Sequence, residues 1–172
     1  MKQDKKGDKY AFIELIEQCR GAMVQTAVSR LKNKEDVEDA IQESIVTAFK
    51  NIGNLRDNSY FKTWLIRIMV NTCSDIIKKE SKYVDLNPYL EENMTDSSDT
   101  AKSVETKHDV ESVMSALKEN DRLILNLLYS QDMSVKQISE VLGLSENAVK
   151  LRISRGREKF KKIYADKEAV CV

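Results

Sequence analysis

Apolar residues in the N-terminal part of the chain recur every three or four positions, which is the period of amphipathic helices. A first helix is predicted to begin near Phe12 and a second at Asn33 or Lys34, with a break at Gly53-Asn54. The inward stripe of the second helix is predicted to be Val37, Ala40, Ile41, Ser44, Ile45, Ala48, Phe49 and Ile52.

A third helix, predicted from about Tyr60 to Lys79, has two different faces. Arg67, Asn71 and Ser74 are spaced four and three apart and share one exposed face with Lys78. These donors suit bases and phosphates, although an ordinary surface helix offers similar side chains. The opposite face is apolar and predicted to be buried, through Trp64, Leu65, Ile68, Met69, Thr72, Cys73 and Ile76.

The segment 134–162 has the pattern of two short helices that meet at a glycine turn. Ser134 is placed to cap the first helix, Gly143 to end it in a left-handed conformation, and Ser145 to cap the second. The predicted core positions are Val135, Ile138, Val141, Leu142, Ala148, Val149, Ile153 and Phe160. This is the pattern of a DNA-binding helix-turn-helix, whose second helix enters the major groove.

Charge strengthens this interpretation, because the chain has no net charge and yet the second of these helices is strongly basic. Arg155 suits guanine, Asn147 suits adenine, and Lys150 suits a base or a phosphate. The other cations spread around the helix and are expected to meet phosphate: Arg152, Arg157, Lys159, Lys161 and Lys162. A polyanionic partner is therefore expected.

The middle of the chain differs from both flanks. Residues 80–111 are acidic and rich in Ser and Thr around residues 91–100, and the only proline, Pro88, lies among them. Such a composition is typical of a linker. The sequence thus predicts an all-α protein with two helical domains joined by an acidic flexible linker.

Several kinds of site are not indicated. Cys19, Cys73 and Cys171 are far apart and the single histidine, His108, has no partner motif, so neither disulfides nor a metal site are expected. No apolar run approaches the ~20 residues of a membrane span, and no signal peptide is visible. We expect a soluble, cytoplasmic protein with no cofactor and no catalytic residue.

Three segments in their order along the chain resemble the extracytoplasmic-function (ECF) sigma factors of bacterial RNA polymerase, within the sigma-70 family. Residues 35–49 are similar to the family's acidic helix, and residues 61–75 to its Phe-x-x-Trp-Leu-x-x-Ile-x-x-Asn segment. The helix-turn-helix follows them. The resemblance implies region 2 at residues 8–80, a linker at 81–111, region 4 at 112–164 and a tail at 165–172.

The resemblance also assigns roles to residues. It implies that Asp39, Gln42 and Glu43 bind the clamp coiled coil of the polymerase β′ subunit. Single-stranded −10 promoter DNA would be bound by Lys62, Arg67, Asn71, Lys78 and Lys79. Duplex −35 DNA would be bound by Lys150, Leu151, Arg152, Ser154, Arg155 and Arg157.

The implied activity is promoter-specific initiation by a dissociable polymerase subunit, which is not an enzyme. Its implied partners are core RNA polymerase, including the β flap, promoter DNA and an anti-sigma factor, which in this family is often membrane-bound. Two other classes of protein are alternatives: a free-standing helix-turn-helix repressor or activator that dimerises, and an enzyme acting on nucleic acid. The first would require a self-complementary surface and the second a phosphate loop or metal carboxylates, and neither is evident.

Overall fold

The computed structural model of the protein describes residues 9–55, 57–86 and 105–170, and their regular structure is helical. The predicted all-α class is confirmed. Short 3-10 turns cover Ile52–Asn54 and Asn58–Tyr60, and a π-helical turn covers Asn126–Ser130. The α-helices are α1 (Lys9–Arg30), α2 (Lys34–Asn51), α3 (Phe61–Leu86), α4 (Glu105–Ala116), α5 (Glu119–Leu125), α6 (Val135–Leu142) and α7 (Glu146–Val170).

The N-terminal half, residues 9–86, is a bundle in which α1 and α2 both pack on α3. Asn33 caps α2, since its side chain accepts a hydrogen bond from the Glu35 backbone amide at 3.0 Å. Ala40, Ser44 and Ala48 are fully buried, as the stripe predicted. The prediction was wrong for Phe49, whose side chain lies edge-on to Phe12 at 5.2 Å and remains 38% exposed at the end of the bundle.

The helix-turn-helix forms as predicted. The Ser134 and Gln137 side chains make a reciprocal capping box at the start of α6. Gly143 ends α6 with a φ of 64°, where a side chain would add strain. The Ser145 hydroxyl then accepts a hydrogen bond from the Ala148 amide at 3.2 Å and caps α7.

The two halves of the chain pack directly against each other. In the C-terminal half, residues 105–170, α5 and the π-helical turn lie on α1, and α6 lies on α3. Buried residues of both halves form one continuous apolar core, from Met23 and Leu65 on one side to Leu127 and Ile138 on the other. The charge pattern and the predicted linker favour two separate cores. The described residues instead form one shared core.

This packing explains two buried residues that the sequence pattern did not identify, Ile66 and Val70. They lie on the same face of α3 as Thr63 and Ser74, because the spacing is three, four and four. Thr63 and Ser74 both bond to residues that contact the C-terminal half or belong to it. Helix α3 is thus buried on two faces, one towards its own bundle and one towards the other half.

Helices extend into the predicted linker from both sides, because α3 ends at Leu86 and α4 begins at Glu105. Helix α7 likewise continues to Val170, within the predicted tail. The remainder of the linker, with Pro88 and the Ser/Thr-rich stretch, lies outside the described residues. Across the described ranges, no helix has the length and apolar character needed to cross a bilayer.

Candidate nucleic-acid interface

The outward face of α7 carries the residues predicted to meet the major groove. Val149 and Ile153 are buried and fix the rotation of the helix about its axis. The residues between them therefore point away from the core. The exposed set is Glu146, Asn147, Lys150, Leu151, Arg152, Ser154 and Arg155, as predicted. Leu151 stands out, because an apolar side chain there is 51% exposed.

Further along α7, two of the cations contact their own domain. The Arg157 guanidinium lies 5.4 Å from the centre of the Tyr129 ring, a cation–π arrangement. Lys159 forms an ion pair with Asp121 of α5. Arg157 also lines an apolar cavity of about 450 Å³ with Met114 and Phe160. Arg157 and Lys159 therefore contact other parts of the C-terminal half in addition to supplying positive charge.

The predicted −10 residues all lie on α3 but do not share one face of it. The side chains of Lys62, Arg67, Asn71, Lys78 and Lys79 are all exposed. Lys78 lies 3.7 Å from the Asp75 carboxylate, a weak surface pair. Arg67, Asn71 and Lys78 share one face, because they are spaced four and seven apart, whereas Lys62 is nine residues from Asn71 and lies on the opposite side of the helix.

Ser74, which the sequence placed on the same exposed face, is instead partly buried. Its hydroxyl accepts a hydrogen bond from Arg30 at 3.0 Å and donates one to the Val70 carbonyl at 2.7 Å. Lys62 is exposed but also bonded, because its ammonium donates to the backbone carbonyl of Gln131 at 2.9 Å. Ser74 and Lys62 are therefore both engaged at the contact with the C-terminal half.

Two short 3-10 turns precede α3. Asp57 caps the second turn by accepting a hydrogen bond from the Ser59 amide at 2.9 Å. Tyr60 ends that turn with 45% of its surface exposed, which makes an aromatic face available beside α3. Trp64, by contrast, packs at 5.9 Å against Phe61 and is partly buried, as its predicted core role requires.

The outward face of α2 carries the predicted polymerase-binding residues. Asp39, Gln42 and Glu43 are exposed on successive turns of this helix. Val46, which sequence reasoning missed, continues the face three residues after Glu43 and is 51% exposed. In the sequence, Val46 could have been recognised as an apolar residue on the polar side of an amphipathic helix.

The two described cysteines are buried and unpaired. Burial raises the pKa of the Cys73 thiol to about 11, although nearby Arg30 acts in the opposite direction. Burial likewise raises the pKa of Cys19. Both thiols are therefore protonated at neutral pH. Within the described ranges, no three His, Cys, Asp or Glu side chains gather as metal ligands would.

Comparison with known proteins matches both halves. The family described as Sigma-70 region 2 matches residues 15–83, and the one described as Sigma-70, region 4, matches residues 107–160. The ECF RNA polymerase sigma factor SigW of Bacillus subtilis is 31% identical over 96% of this chain and 95% of its own length. The ECF RNA polymerase sigma-E factor of Haemophilus influenzae is 28% identical over 88% of this chain and 86% of its own.

Solved structures agree with this assignment. The sigma factor RpoE of Bartonella quintana, solved with the anti-sigma factor NepR, has the same fold with a TM-score of 0.75 and 19% identity, covering 89% of this chain and 96% of its own. CnrH, solved with the cytosolic domain of CnrY, has a TM-score of 0.68 and 25% identity, covering 95% of this chain and 94% of its own. The chain therefore belongs to the ECF sigma factors of the sigma-70 family, which direct initiation by RNA polymerase.

Proposed function

We propose that this sigma factor recognises its promoters through three surfaces, one on each of α7, α3 and α2. The observation that carries the proposal is the outward face of α7, where the Ser145 cap and two buried anchors present Lys150 and Arg155 to solvent. A rigid, capped helix with exposed cations suits insertion into a major groove.

The −35 duplex is assigned to the N-terminal turns of α7. Arg155 has the planar fork that binds guanine O6 and N7 together, and Lys150 lies five residues earlier on the exposed side. Arg152 supplies phosphate contact. Leu151 and Ser154 complete the surface, with Leu151 suited to a thymine methyl group. Arg157 is assigned to phosphate at the edge of this surface.

The −10 strand is assigned to exposed residues of α3. Arg67 and Asn71 are one helical turn apart and offer donors to unstacked bases. We assign Lys62, Lys78 and Lys79 to contacts with the phosphate backbone. Tyr60 adds an exposed aromatic ring on which a base can stack, and such stacking contributes about 1–3 kcal/mol per base.

Core polymerase is assigned to the outer face of α2. The carboxylates of Asp39 and Glu43 steer a basic partner, and Gln42 adds a directional hydrogen bond. Val46 gives this face an apolar contact that can be desolvated in a complex. The partner proposed here is the clamp coiled coil of β′, with the β flap meeting the C-terminal half. Such an assembly places the protein in the bacterial cytoplasm.

The test of the whole proposal is run-off transcription with bacterial core polymerase on a pool of promoter fragments, with and without this protein. We expect new transcripts with defined starts only when the protein is added. Arg155→Ala and Asn71→Ala should each reduce initiation, the first through −35 duplex binding and the second through −10 opening. Arg20→Ala is a matched control, because Arg20 is an exposed arginine whose described ion-pair partner is Glu17 of the same helix.

A different result would replace the proposal. If core polymerase gains no activity and is not bound, while the chain binds palindromic duplex as a dimer, the protein acts as a free-standing regulator. The run-off assay and sedimentation of the free chain together separate these two classes.

We further propose regulation by an anti-sigma factor. The support is that RpoE of Bartonella quintana was solved with an anti-sigma factor, and CnrH with a cytosolic domain of another protein. We expect an anti-sigma factor that binds this chain to inhibit run-off transcription and to compete with core polymerase for the chain. A partner that leaves transcription unchanged would contradict this role.

A further inference from the structure

An apolar cavity of about 450 Å³ lies between α4 and α7 of the C-terminal half. The apolar side chains that line it come from three helices and are Val110, Met114, Leu125 and Phe160. Cavities that bind small molecules are mostly apolar and have volumes of about 300–1,000 Å³. The α4–α7 cavity, defined by these residues, therefore has the size and lining of a small-molecule site.

The charged residues that line the α4–α7 cavity are both cations. Arg157 and Lys161 lie one turn apart on the same face of α7, because they are four positions apart. The Arg157 guanidinium lies 5.4 Å from the centre of the Tyr129 ring, and this contact fixes the position of its charge. The apolar space is thus bordered by two fixed positions of positive charge.

Neither of these cations forms an ion pair with a carboxylate within the described ranges. The neighbouring Lys159, by contrast, is paired with Asp121. An arginine without an ion-pair partner keeps the planar fork that binds a carboxylate through two hydrogen bonds. The α4–α7 cavity therefore lacks the anion that its charge would attract.

The volume of the cavity sets the size of a fitting ligand. At roughly 30 Å³ for each water-sized group, 450 Å³ holds about 15 non-hydrogen atoms. A single saturated chain of about ten to twelve carbons that ends in a carboxylate has this size. Val110 and Tyr129 are 48% and 63% exposed, so solvent reaches this part of the cavity. A ligand can therefore enter without displacing the core.

The same two cations also line a second cavity, which adjoins the face assigned to DNA. This cavity has a volume of about 420 Å³, and Arg157 and Lys161 line it together with Lys150, Ser154 and Glu158. Lys150 and Ser154 are assigned to the −35 duplex, and Arg157 to a phosphate beside it. An anion bound at Arg157 and Lys161 lowers the positive potential that the duplex meets there. Ligand and duplex thus compete for the same charges.

We propose that the α4–α7 cavity binds a single-chain amphiphilic carboxylate and that the bound ligand weakens binding of −35 duplex. The chain lies against Met114 and Phe160, where burial of apolar surface is favourable. The carboxylate binds Arg157 and Lys161. The effect on DNA rests on the proposed function of α7, whereas binding of the ligand does not.

Isothermal titration calorimetry of the full-length chain with dodecanoate, below the concentration at which it forms micelles, tests the site. We expect saturable binding. Val110→Trp fills the cavity from an exposed position and should abolish binding. Lys161→Gln should weaken binding about tenfold through loss of a charge-assisted contact. Lys136→Gln is the matched control, because Lys136 is an exposed lysine of α6 outside the lining of both cavities, and it should leave the affinity unchanged.

Two further probes separate the chain from the charge. Butanoate has the carboxylate without the long chain, and dodecyltrimethylammonium has the chain with the opposite charge. Each should bind at least about tenfold more weakly than dodecanoate. Equal binding of dodecanoate and dodecyltrimethylammonium would overturn the role assigned to the two cations.

Fluorescence anisotropy with a −35 duplex tests the effect on DNA. Saturating dodecanoate should lower the slope of log affinity against log salt concentration by about 0.9, the value for one lost phosphate contact. Val110→Trp, which lacks the site, should bind the duplex equally with and without dodecanoate. This variant therefore distinguishes an occupied cavity from a general detergent effect.

Several outcomes would overturn the inference. Equal binding of dodecanoate to the wild type and to Val110→Trp would exclude the cavity, and an unchanged salt slope with ligand bound would exclude the effect on DNA. Binding of anionic phospholipid vesicles without binding of dodecanoate would assign the cavity to a membrane surface. Loss of core-polymerase binding in Val110→Trp, with no amphiphile bound by the wild type, would assign it to the polymerase. If the wild type binds no duplex, the proposed function fails, whereas calorimetry still decides whether the cavity binds a carboxylate.

Discussion

The two helices to which we assign DNA binding, α7 and α3, differ in how far their assigned faces are exposed. On α7, the residues assigned to bases are exposed and the helix is anchored by its buried side alone. On α3, the assigned residues adjoin a second buried face, and Lys62 is already bonded to the other half. The face assigned to −35 DNA is thus free in this structure, whereas the residues of α3 assigned to −10 DNA are partly used by the contact with the C-terminal half.

The largest expected effect tests whether the halves behave as one unit. Leu127→Ala in the C-terminal half removes a fully buried side chain and should lower the free energy of unfolding by about 3 kcal/mol. Because the core is shared, the fluorescence of Trp64, the only tryptophan, should report the same lowered midpoint as circular dichroism. A Trp64 midpoint that stayed at the wild-type value would show two independent domains.

The next largest effect tests the base and phosphate contacts assigned to α7. Arg155→Ala should weaken binding of −35 duplex by about 2 kcal/mol, roughly 30-fold, because a bidentate guanine contact is lost. Arg152→Ala should weaken binding less and equally for every sequence, since a phosphate contact carries no base information. Fluorescence anisotropy on consensus and mutated duplexes measures both. Equal losses on all duplexes for Arg155→Ala would contradict its assignment to a base.

A smaller effect distinguishes the residues of α3. In the free protein, Lys62→Ala should reduce affinity for −10 single strand by less than Arg67→Ala. The reason is that Lys62 must first give up its bond to Gln131. For each lost phosphate contact, the slope of log affinity against log salt concentration should fall by about 0.7. An unchanged slope in Lys62→Ala would show that Lys62 does not contact a phosphate.

The smallest effect concerns Glu80, which is mostly exposed near the end of α3. Desolvation raises the pKa of the Glu80 carboxyl, and so do the hydrogen bond that its protonated form makes to Asp36 and the negative charge of Asp36. A raised pKa means that the stability Glu80 contributes is present at low pH and is lost as the pH rises through the folded pKa. Glu80→Gln should therefore raise Tm at pH 7 by about 1 °C and leave it unchanged near pH 4. A lower Tm of Glu80→Gln at pH 7 would contradict this prediction, because it would mean that ionised Glu80 stabilises the fold.

Much of the fold follows from local signals in the sequence. Asn33, Ser134, Gly143 and Ser145 act within a few residues of themselves, so the helix boundaries that they mark were predictable. The helical period likewise identified the outward face of α7. These features depend on neighbours along the chain, which a single sequence contains.

The contact between the halves could not be predicted in the same way. Ile66 and Val70 lie on a second buried face of α3, and a helix buried on two sides has no single apolar stripe. Arg30 and Gln131 are polar residues whose partners are about a hundred positions away. Nothing in the period of a sequence specifies such partners. The same limit applies to Arg157, which packs against Tyr129 instead of pointing freely to solvent.

The second buried face of α3 also matters while the protein is being made. Ile66 and Val70 leave the ribosome well before α6, the helix that packs on α3. At roughly 5–20 residues per second, these apolar side chains wait about 4–14 s for α6 to be synthesised. During that interval the nascent N-terminal half presents an uncovered apolar strip. An uncovered apolar strip of this kind can associate with other nascent chains until α6 covers it.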